Sequence, residues 1–341
     1  MKAAVLRGNE NLCYDEYPEP QLRPGHIKVR VKAAGICGSD IPRVLRNGAH
    51  SYPIVLGHEF AGEVAEIARD VTGFAINDRV SGAPLLPCMR CEDCLRGQYA
   101  LCKHYSFIGS RQQGAFAEYV VLPAQNAVKY NPAISFEQGA MFEPSTVALH
   151  GVLLNRYEGG GRVAILGGGT IGLFAMQWAN IFGAAETTVF DLDDDRLALA
   201  KRLGAARVCN TKEENPDALQ GQFDYVFETA GVTATMQLAY ALAANRAKLC
   251  FIGTPTKDLV FTPKLWENMN RKEFTLTGSW MSYSAPFPGK EWNLTAHYFA
   301  TGQLKFDPAL LFKTVPLAQA AEMFALYKTP GAVKGKIMLL P

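Results

Sequence analysis

The chain has 341 residues, a formal net charge of +2 at pH 7 and 48% hydrophobic residues. This length favours two domains, and the composition is that of a globular protein with a sizeable core. The basic residues are scattered and no apolar run reaches the length of a membrane span, so we expect neither a nucleic-acid nor a membrane partner. No export signal is visible, so we expect a cytoplasmic protein whose cysteines stay reduced.

The first part of the chain, residues 1–147, is predicted to be rich in β-strands. In HIKVRVKA, Ile27, Val29 and Val31 alternate with charged side chains, which is the period of a half-buried strand. Similar stretches are separated by Gly, Pro and Asn, and long helical patterns are scarce. Residues 286–341 return to this style with one helix and a closing strand. We therefore predict one β-rich domain built from both ends of the chain.

Residues 148–285 alternate strands with helices. The stretches RVAILG, TTVFD, RVCN, FDYVFETAG, KLCFIGT and FTLTGSW are predicted strands, and helical patterns separate several of them. This alternation predicts an α/β domain with a doubly wound parallel sheet, which is the Rossmann architecture. The nucleotide-binding domain would thus be inserted between the two parts of the β-rich domain.

A glycine-rich turn, LGGGTIG, follows the first of these strands and opens a helix. This is the context that a dinucleotide fingerprint requires, because the glycines let the backbone approach a pyrophosphate at the helix N-terminus. Asp191 ends the next strand, where its carboxylate would accept hydrogen bonds from the ribose and repel a 2′-phosphate, which favours NAD over NADP. The predicted cofactor contacts are Gly167, Gly169, Thr170, Ile171, Gly172 and Asp191.

Four of the eight cysteines form a C-x2-C-x2-C-x7-C loop. Four thiolates can close a tetrahedron around Zn²⁺ without outside help, so we predict a structural zinc site. Disulfides between such near neighbours are disfavoured in a reducing compartment, and an iron–sulfur run has a shorter last gap followed by proline, where this chain has Lys103. The predicted ligands are Cys88, Cys91, Cys94 and Cys102. The predicted core thiols are Cys13, Cys209 and Cys250.

A second candidate metal site combines Cys37 in AGICGSD with His58 and Glu59 in GHE, and with Glu143 in FEPSTVALH. One thiolate, one imidazole and one or two carboxylates make a zinc site that keeps a replaceable position for water or substrate. Each residue alone has a plainer explanation, as a core thiol, a hydrogen-bonded polar group or an acid at a helix start. The residues by themselves leave this choice open.

The order of motifs along the whole chain adds a resemblance. GICGSD, LGHEFAGEV, VTGFAINDRV, the four-cysteine loop, GAFAEYVV, FEPSTVALHG and LGGGTIG follow one another as in the zinc-dependent medium-chain alcohol and polyol dehydrogenases, which the sequence resembles from end to end. The resemblance implies a GroES-like catalytic domain, a Rossmann domain that binds NAD, two Zn²⁺ ions per chain and a homodimer or homotetramer. It implies hydride transfer from a small-molecule polyol to NAD⁺. A binding protein or a zinc-free quinone reductase would lack these metal ligands.

The resemblance also implies roles for single residues. Cys37 and His58 correspond to ligands of the catalytic zinc, and Glu59 to the acid that binds the zinc or lies just behind it. Glu143 corresponds to the acid that completes the site directly or through water, so which glutamate binds at rest stays open. Ser39 corresponds to the hydroxyl that passes the substrate proton outward.

Two features of the sequence concern proton release and substrate. Many relatives have a histidine in the relay where this chain has Pro42, so His50, Asp40 or the cofactor ribose with water could end the relay. Stretches such as GICGSDIPRVLRNGAHSYPIVLGHEF are most similar to members that oxidise a polyol phosphate, and free polyols of the sorbitol or xylitol type are the alternative. Arginine suits phosphate because its planar donors bind bidentately. The candidate substrate contacts are Arg43, Arg46, His50 and Arg111.

Overall fold

The structure is a computed structural model that describes residues 1–341. The chain forms two compact units. The first comprises Met1–Glu143, Tyr283–Gly302 and Pro308–Pro341, and the second comprises Pro144–Ser282 and Gln303–Asp307. No helix is long and apolar enough to cross a membrane.

The unit boundaries lie a few residues before the positions 148 and 285 that we expected. A short segment, Gln303–Asp307, also joins the second unit. It is held there because the side chain of Gln177 exchanges hydrogen bonds with the backbone of Lys305, and because Arg202 Nε lies 2.9 Å from Asp307 Oδ2.

The elements are numbered in chain order. Up to the unit boundary they are β1 (Lys2–Gly8), β2 (Asn11–Glu16), β3 (His26–Gly35), α1 (Asp40–Leu45), β4 (Ile54–Val55), β5 (Glu59–Ile67), β6 (Arg79–Gly82), β7 (Leu85–Leu86), α2 (Glu92–Leu95), β8 (Ser106–Phe107), β9 (Tyr119–Pro123), β10 (Ala127–Lys129) and α3 (Phe136–Ala140). The helix α4 (Phe142–Leu154) contains the boundary. The second unit continues with β11 (Arg162–Leu166), α5 (Thr170–Ile181), β12 (Glu186–Asp191), α6 (Asp194–Leu203), β13 (Arg207–Asn210), β14 (Phe223–Glu228), α7 (Thr233–Leu242), β15 (Ala243–Phe251), α8 (Pro263–Trp266), α9 (Asn268–Lys272) and β16 (Thr275–Gly278). The last elements are α10 (Lys290–Ala300), β17 (Leu311–Pro316), α11 (Ala320–Leu326) and β18 (Lys336–Leu340).

The first unit is built on a seven-stranded sheet. Its order is β10-β6-β5-β3-β18-β17, with β9 also paired to β3. The long strand β3 lies at the centre because Ile27, Val29 and Val31 are all buried, as their alternation predicts. The closing strand β18 pairs with β3 antiparallel, so both ends of the chain contribute to one core.

A separate three-stranded sheet has the order β2-β1-β4, which leaves β2 at an edge. Cys13 on β2 is only half-buried and its Sγ lies 3.1 Å from Asn11 Oδ1, so our prediction of a core thiol at this position is wrong. Cys209 and Cys250 are buried in the strands of the second unit, as we expected.

The second unit contains a six-stranded sheet whose order is β13-β12-β11-β14-β15-β16. Every neighbouring pair is parallel, which confirms the doubly wound sheet. The strand order reverses between β11 and β14, and the turns that follow β11, β12 and β14 leave the same edge of the sheet. In this architecture ligands bind at that edge, so the fold gathers the predicted nucleotide contacts there.

Candidate active site

The ends of two paired strands bring Cys37 to His58 and Glu59. Gly35 at the end of β3 pairs with Glu59 at the start of β5. One ligand atom from each of Cys37, His58 and Glu59 lies within 4.8 Å of the others. Glycine at position 35 leaves space for the carboxylate, because a Cβ there would lie 2.4 Å from Glu59 Oε2 and displace it. A sulfur, an imidazole nitrogen and a carboxylate oxygen in a largely buried place are a donor set that suits Zn²⁺.

Asp40 lies behind the thiol and the imidazole. It is completely buried, its Oδ2 accepts a hydrogen bond from the Cys37 backbone N–H at 3.1 Å, and its Oδ1 lies 3.5 Å from His58 Nδ1. Burial lowers the pKa of His58, but the charges of Asp40 and Cys37 oppose this and hold it well above its usual value. The Asp40 carboxylate therefore stabilises positive charge on the neighbouring imidazole.

Lys336 is a further buried charge that the sequence analysis did not identify. Its Nζ lies 2.7 Å from Glu59 Oε1 and 2.6 Å from Oε2, and it donates to the Ile36 carbonyl at 3.1 Å. Burial lowers the pKa of Lys336, but the charges of Glu59 and Cys37 raise it more. The stretch GKIMLLP contained a sign that this lysine is buried, because the lysine begins a strand whose next three residues are buried.

Glu143 supplies a second carboxylate from the first turn of α4. It is 8% exposed, and burial raises its pKa to about 7, with His58 lowering the pKa and Glu59 raising it. The structure thus brings Glu143 within electrostatic reach of the other candidate ligands, although it lies outside the compact group formed by Cys37, His58 and Glu59.

Ser39 lies directly beside the candidate ligands. Its Oγ is 3.4 Å from Cys37 Sγ, its side chain is exposed, and its carbonyl accepts a hydrogen bond from Arg43. A hydroxyl in this position can take part in proton transfer between a group at the site and solvent.

Three of the four cationic candidates, Arg43, His50 and Arg111, lie close to one another in the first unit. Arg43 is half-buried and its Nη1 lies 3.9 Å from Asp40 Oδ1. Burial and the charges of Arg111 and Arg43 lower the pKa of His50. The Arg111 guanidinium lies over the Tyr105 ring, 4.5 Å from its centroid. Arg46 is exposed, and its backbone N–H donates to Pro42.

The four cysteines of the loop converge as a second donor group. One Sγ atom from each lies within 4.8 Å of the others, and the chain holds no disulfide. The Cys88 N–H donates to Cys102 Sγ at 3.3 Å and the Cys91 N–H donates to Cys88 Sγ at 3.4 Å. A backbone N–H lowers the pKa of Cys88 to about 6, whereas burial raises that of Cys94 to about 12. Four thiols and no other donor suit a closed, structural Zn²⁺ site.

The glycine turn between β11 and α5 makes a close-packed cradle. Gly167 has φ +103°, and a Cβ on Gly172 would lie 1.8 Å from the Gly167 carbonyl oxygen. Gly169 is the N-cap of α5, and Thr170 and Ile171 form its first turn, so the N-terminal N–H groups of the helix point to the turn.

Asp191 ends β12 next to this turn. Its Oδ2 accepts a hydrogen bond from the Gly168 N–H at 2.6 Å, and its Oδ1 accepts one from Leu192 N–H at 2.7 Å. Arg196 Nη1 lies 3.7 Å from the same carboxylate. The structure therefore places every predicted nucleotide contact at one edge of the parallel sheet, and the chain fits a dinucleotide there.

Comparison with known proteins identifies the family. Residues 23–132 match the alcohol dehydrogenase GroES-like domain and residues 170–296 match the zinc-binding dehydrogenase family. The chain is 39% identical to galactitol 1-phosphate 5-dehydrogenase of Escherichia coli K12, over 92% of each chain. It is 34% identical to sorbitol dehydrogenase of Bacillus subtilis, over 76% of each.

The fold agrees with these similarities. The crystal structure of galactitol-1-phosphate dehydrogenase from Escherichia coli superposes with a TM-score of 0.93 at 37% identity, over 100% of each chain. The resemblance drawn from the motifs, the two-part fold class and the oxidoreductase activity are thereby confirmed. The chain belongs to the zinc-binding medium-chain dehydrogenases of the alcohol and polyol type.

Proposed function

We propose that the chain is an NAD-dependent dehydrogenase of a polyol phosphate, which oxidises a secondary alcohol of galactitol 1-phosphate to a ketohexose phosphate such as tagatose 6-phosphate. The similarity to galactitol 1-phosphate 5-dehydrogenase over 92% of the chain supports this substrate. The observation that carries the proposal is the group of cations near the candidate metal ligands. The charges of Arg43 and Arg111 both lower the pKa of His50, and Arg43 also contacts Asp40 and Ser39.

The proposal assigns two Zn²⁺ ions to the two donor groups. Cys37, His58 and Glu59 would hold the catalytic ion with Glu143 as the second carboxylate of the site, and the four-cysteine loop would hold a structural ion. When bound, the catalytic ion supplies Lewis acidity that stabilises negative charge on the substrate oxygen. The protein around it supports the donors, since Lys336 holds Glu59 by a hydrogen bond and the Asp40 carboxylate lies 3.5 Å from the imidazole of His58.

Ser39 is the proposed first carrier of the substrate proton. Its hydroxyl is exposed and adjacent to Cys37, so it can receive a proton at the site and release one to solvent. Asp40 is completely buried and accepts from the Cys37 backbone, which makes it a poor exit to bulk water. We propose His50, which is exposed and whose pKa is lowered, as a neutral acceptor further along the relay.

The proposed cofactor is NAD⁺, which accepts the hydride when bound. Asp191 supports this choice over NADP⁺, because its carboxylate accepts hydrogen bonds from the Gly168 and Leu192 N–H groups and would repel a 2′-phosphate. Arg196 beside it carries the opposite charge, which would attract a 2′-phosphate, so the preference depends on which of the two charges dominates. Rates with NAD⁺ and NADP⁺ under the same conditions test this choice, and equal rates would contradict it.

We also propose that the chain acts in the cytoplasm as a homodimer or homotetramer. All eight cysteines are free, which agrees with a reducing compartment. The six-stranded sheet has β16 at one edge. Leu276 in this strand and Trp280 just after it are 40% and 52% exposed. Light scattering of the purified protein measures the oligomeric state, and a monomer at micromolar concentration would contradict this part of the proposal.

The decisive experiment follows NADH formation on a panel of free and phosphorylated hexitols. We expect galactitol 1-phosphate to have the highest kcat/KM. Arg43→Ala should lower kcat/KM for the phosphorylated substrate by about 10- to 100-fold, as expected for a lost charge-assisted contact, and should change that for galactitol by less than about threefold. Arg69→Ala removes an exposed arginine after β5 and serves as the matched control. Equal losses of kcat/KM on both substrates would show that Arg43 does not bind the phosphate.

The alternative function is oxidation of free polyols of the sorbitol, L-iditol or xylitol type. The similarity to sorbitol dehydrogenase of Bacillus subtilis favours it. The same panel separates the two proposals, because activity confined to unphosphorylated substrates would establish the alternative.

A further inference from the structure

Glu228 is a fully buried acid that the site described above does not use. It is the last residue of β14, at the edge of the sheet where the nucleotide contacts gather, and it is 0% exposed. Burial raises its pKa, against hydrogen bonds from Thr235, Gly231 and Ala230 that lower it. A buried ionisable group next to a ligand-binding edge requires a physical explanation.

The hydrogen bonds of Glu228 are strongly one-sided. Its Oε1 accepts from the Ala230 N–H at 2.9 Å, from the Gly231 N–H at 2.8 Å and from Thr235 Oγ1 at 2.7 Å. Its Oε2 is buried with no hydrogen-bond partner. One oxygen therefore accepts hydrogen bonds from three residues, which lie between the end of β14 and the first turn of α7, and it donates none.

This connection supports the glycine turn from the side. Thr229 donates its backbone N–H to the Leu166 carbonyl at 2.9 Å, and its hydroxyl lies 2.9 Å from the same carbonyl oxygen and 3.2 Å from that of Gly167. A Cβ on Gly172 would lie 2.8 Å from Thr229 Oγ1. The position of Thr229 thus determines the shape of the turn, and the two residues after Thr229 are fixed by Glu228.

The loop after β15 closes the same arrangement. The Ile252 and Gly253 N–H groups donate to the Glu228 carbonyl at 2.8 and 3.0 Å. A Cβ at Gly253 would lie 2.7 Å from Glu228 Oε2 and 2.3 Å from the Gly231 nitrogen. Glu228 is therefore packed between two loops at the binding edge, and the glycine at position 253 leaves the space that its carboxyl group occupies.

We propose that Glu228 is a positioning residue for the dinucleotide, which acts as a hydrogen-bond acceptor and holds the 229–231 loop so that Thr229 supports the Gly167 turn. The inference rests on the proposed nucleotide site. It requires an acceptor oxygen at Oε1 and requires no negative charge, because the other oxygen of the carboxyl group finds neither a donor nor water-accessible space. A glutamine carbonyl can accept the same three hydrogen bonds.

The test compares Glu228→Gln with Glu228→Ala in the full-length, zinc-loaded protein, using NAD⁺ and NADH as probes in calorimetry and in quenching of intrinsic fluorescence. We expect Glu228→Gln to bind both within about threefold of wild type, and Glu228→Ala to weaken both by tenfold or more, as expected for two backbone donors left without an acceptor. The zinc content, and the KM for the alcohol at saturating NAD⁺, should stay unchanged in both variants.

Thr235→Val and Thr235→Ser give a milder test should Glu228→Ala fail to fold. Thr235 is half-buried, so losing its hydroxyl removes one of the three bonds to Oε1. We expect Thr235→Val to weaken NAD⁺ binding by about two- to fivefold and Thr235→Ser to leave it unchanged. Equal losses in Glu228→Gln and Glu228→Ala, or unchanged binding in both Glu228→Ala and Thr235→Val, would overturn the inference. A wild-type protein that binds neither NAD⁺ nor NADP⁺ would instead overturn the proposed function.

Discussion

The two groups of metal-binding side chains differ in how the chain builds them. The cysteine loop takes all four donors from one short segment, and backbone N–H groups of that segment contact its sulfurs. The group of Cys37, His58 and Glu59 takes its donors from the ends of β3 and β5, which only the folded sheet brings together. One group is thus defined locally and the other by the core of the first unit.

The surroundings of the two donor groups differ as well. The loop has thiols alone, so a bound ion would be fully coordinated by the protein. The other group has mixed donors and is flanked by two buried charges, Asp40 beside Cys37 and His58, and Lys336 beside Glu59. We therefore expect changes in the loop to act on local folding, changes in Cys37 itself to act on chemistry, and changes in the buried charges around it to act on the core.

The largest expected effect separates chemistry from folding. Cys37→Ser replaces a thiolate ligand by a poor one, so we expect kcat to fall by roughly 10³-fold or more, because the electrostatic stabilisation at the reacting oxygen is lost. The metal content should fall by one ion, while the melting temperature should change little. Steady-state NADH formation and elemental analysis measure both. A kcat within tenfold of wild type would show that Cys37 is not a ligand of the catalytic ion.

The next effect tests the buried charges around the catalytic group. Lys336→Met leaves Glu59 buried without its cation, so we expect the free energy of unfolding to fall by about 3–5 kcal/mol in urea titrations. Lys328→Met is the matched control, because Lys328 is 54% exposed and pairs with the exposed Glu10. That variant should stay within about 0.5 kcal/mol of wild type. Similar losses in the two variants would show that the Lys336–Glu59 pair contributes no more than a surface ion pair.

A third, smaller effect concerns the loop. Cys94→Ser should remove one metal ion and lower the melting temperature by roughly 5–10 °C, because coordination of the ion is coupled to folding of the loop. The kcat should stay within about threefold of wild type. Cys13→Ser, a half-buried thiol outside both groups, should keep both ions and the melting temperature. A Cys94→Ser variant that loses kcat as severely as Cys37→Ser would erase the distinction between the two groups.

Much of this fold was predictable because its signals are local. The parallel sheet follows from strands and helices that alternate along the chain, and the glycine turn follows from the motif between β11 and α5. The cysteine loop was predictable for the same reason, since its donors are close in sequence.

The features that were missed depend on contacts between distant residues. The alternation in β3 places Lys28 on the solvent side, yet Lys28 is 6% exposed because Glu19 and Glu66 lie 2.8 and 2.5 Å from its Nζ. Lys336 is buried because it pairs with Glu59, which lies on β5 on the other side of β3, and no pattern in KIMLLP reveals that partner. Periodicity assigns a face to each side chain, but the partners on that face come from the pairing of strands.

The smallest effect is a pH dependence of the catalytic group. Burial raises the pKa of Glu143 to about 7 from 4.5, so the folded protein holds this proton more tightly than the unfolded chain does. Its contribution to stability is therefore full below about pH 4.5 and is lost as the pH rises towards 7, by roughly 3 kcal/mol at most. In metal-free protein, urea titrations at pH 5 and pH 7.5 should show Glu143→Gln gaining stability relative to wild type at the higher pH. Glu186→Gln, an exposed residue of β12, should follow the wild-type profile, and a Glu143→Gln profile parallel to wild type would mean that Glu143 already ionises normally before zinc binds.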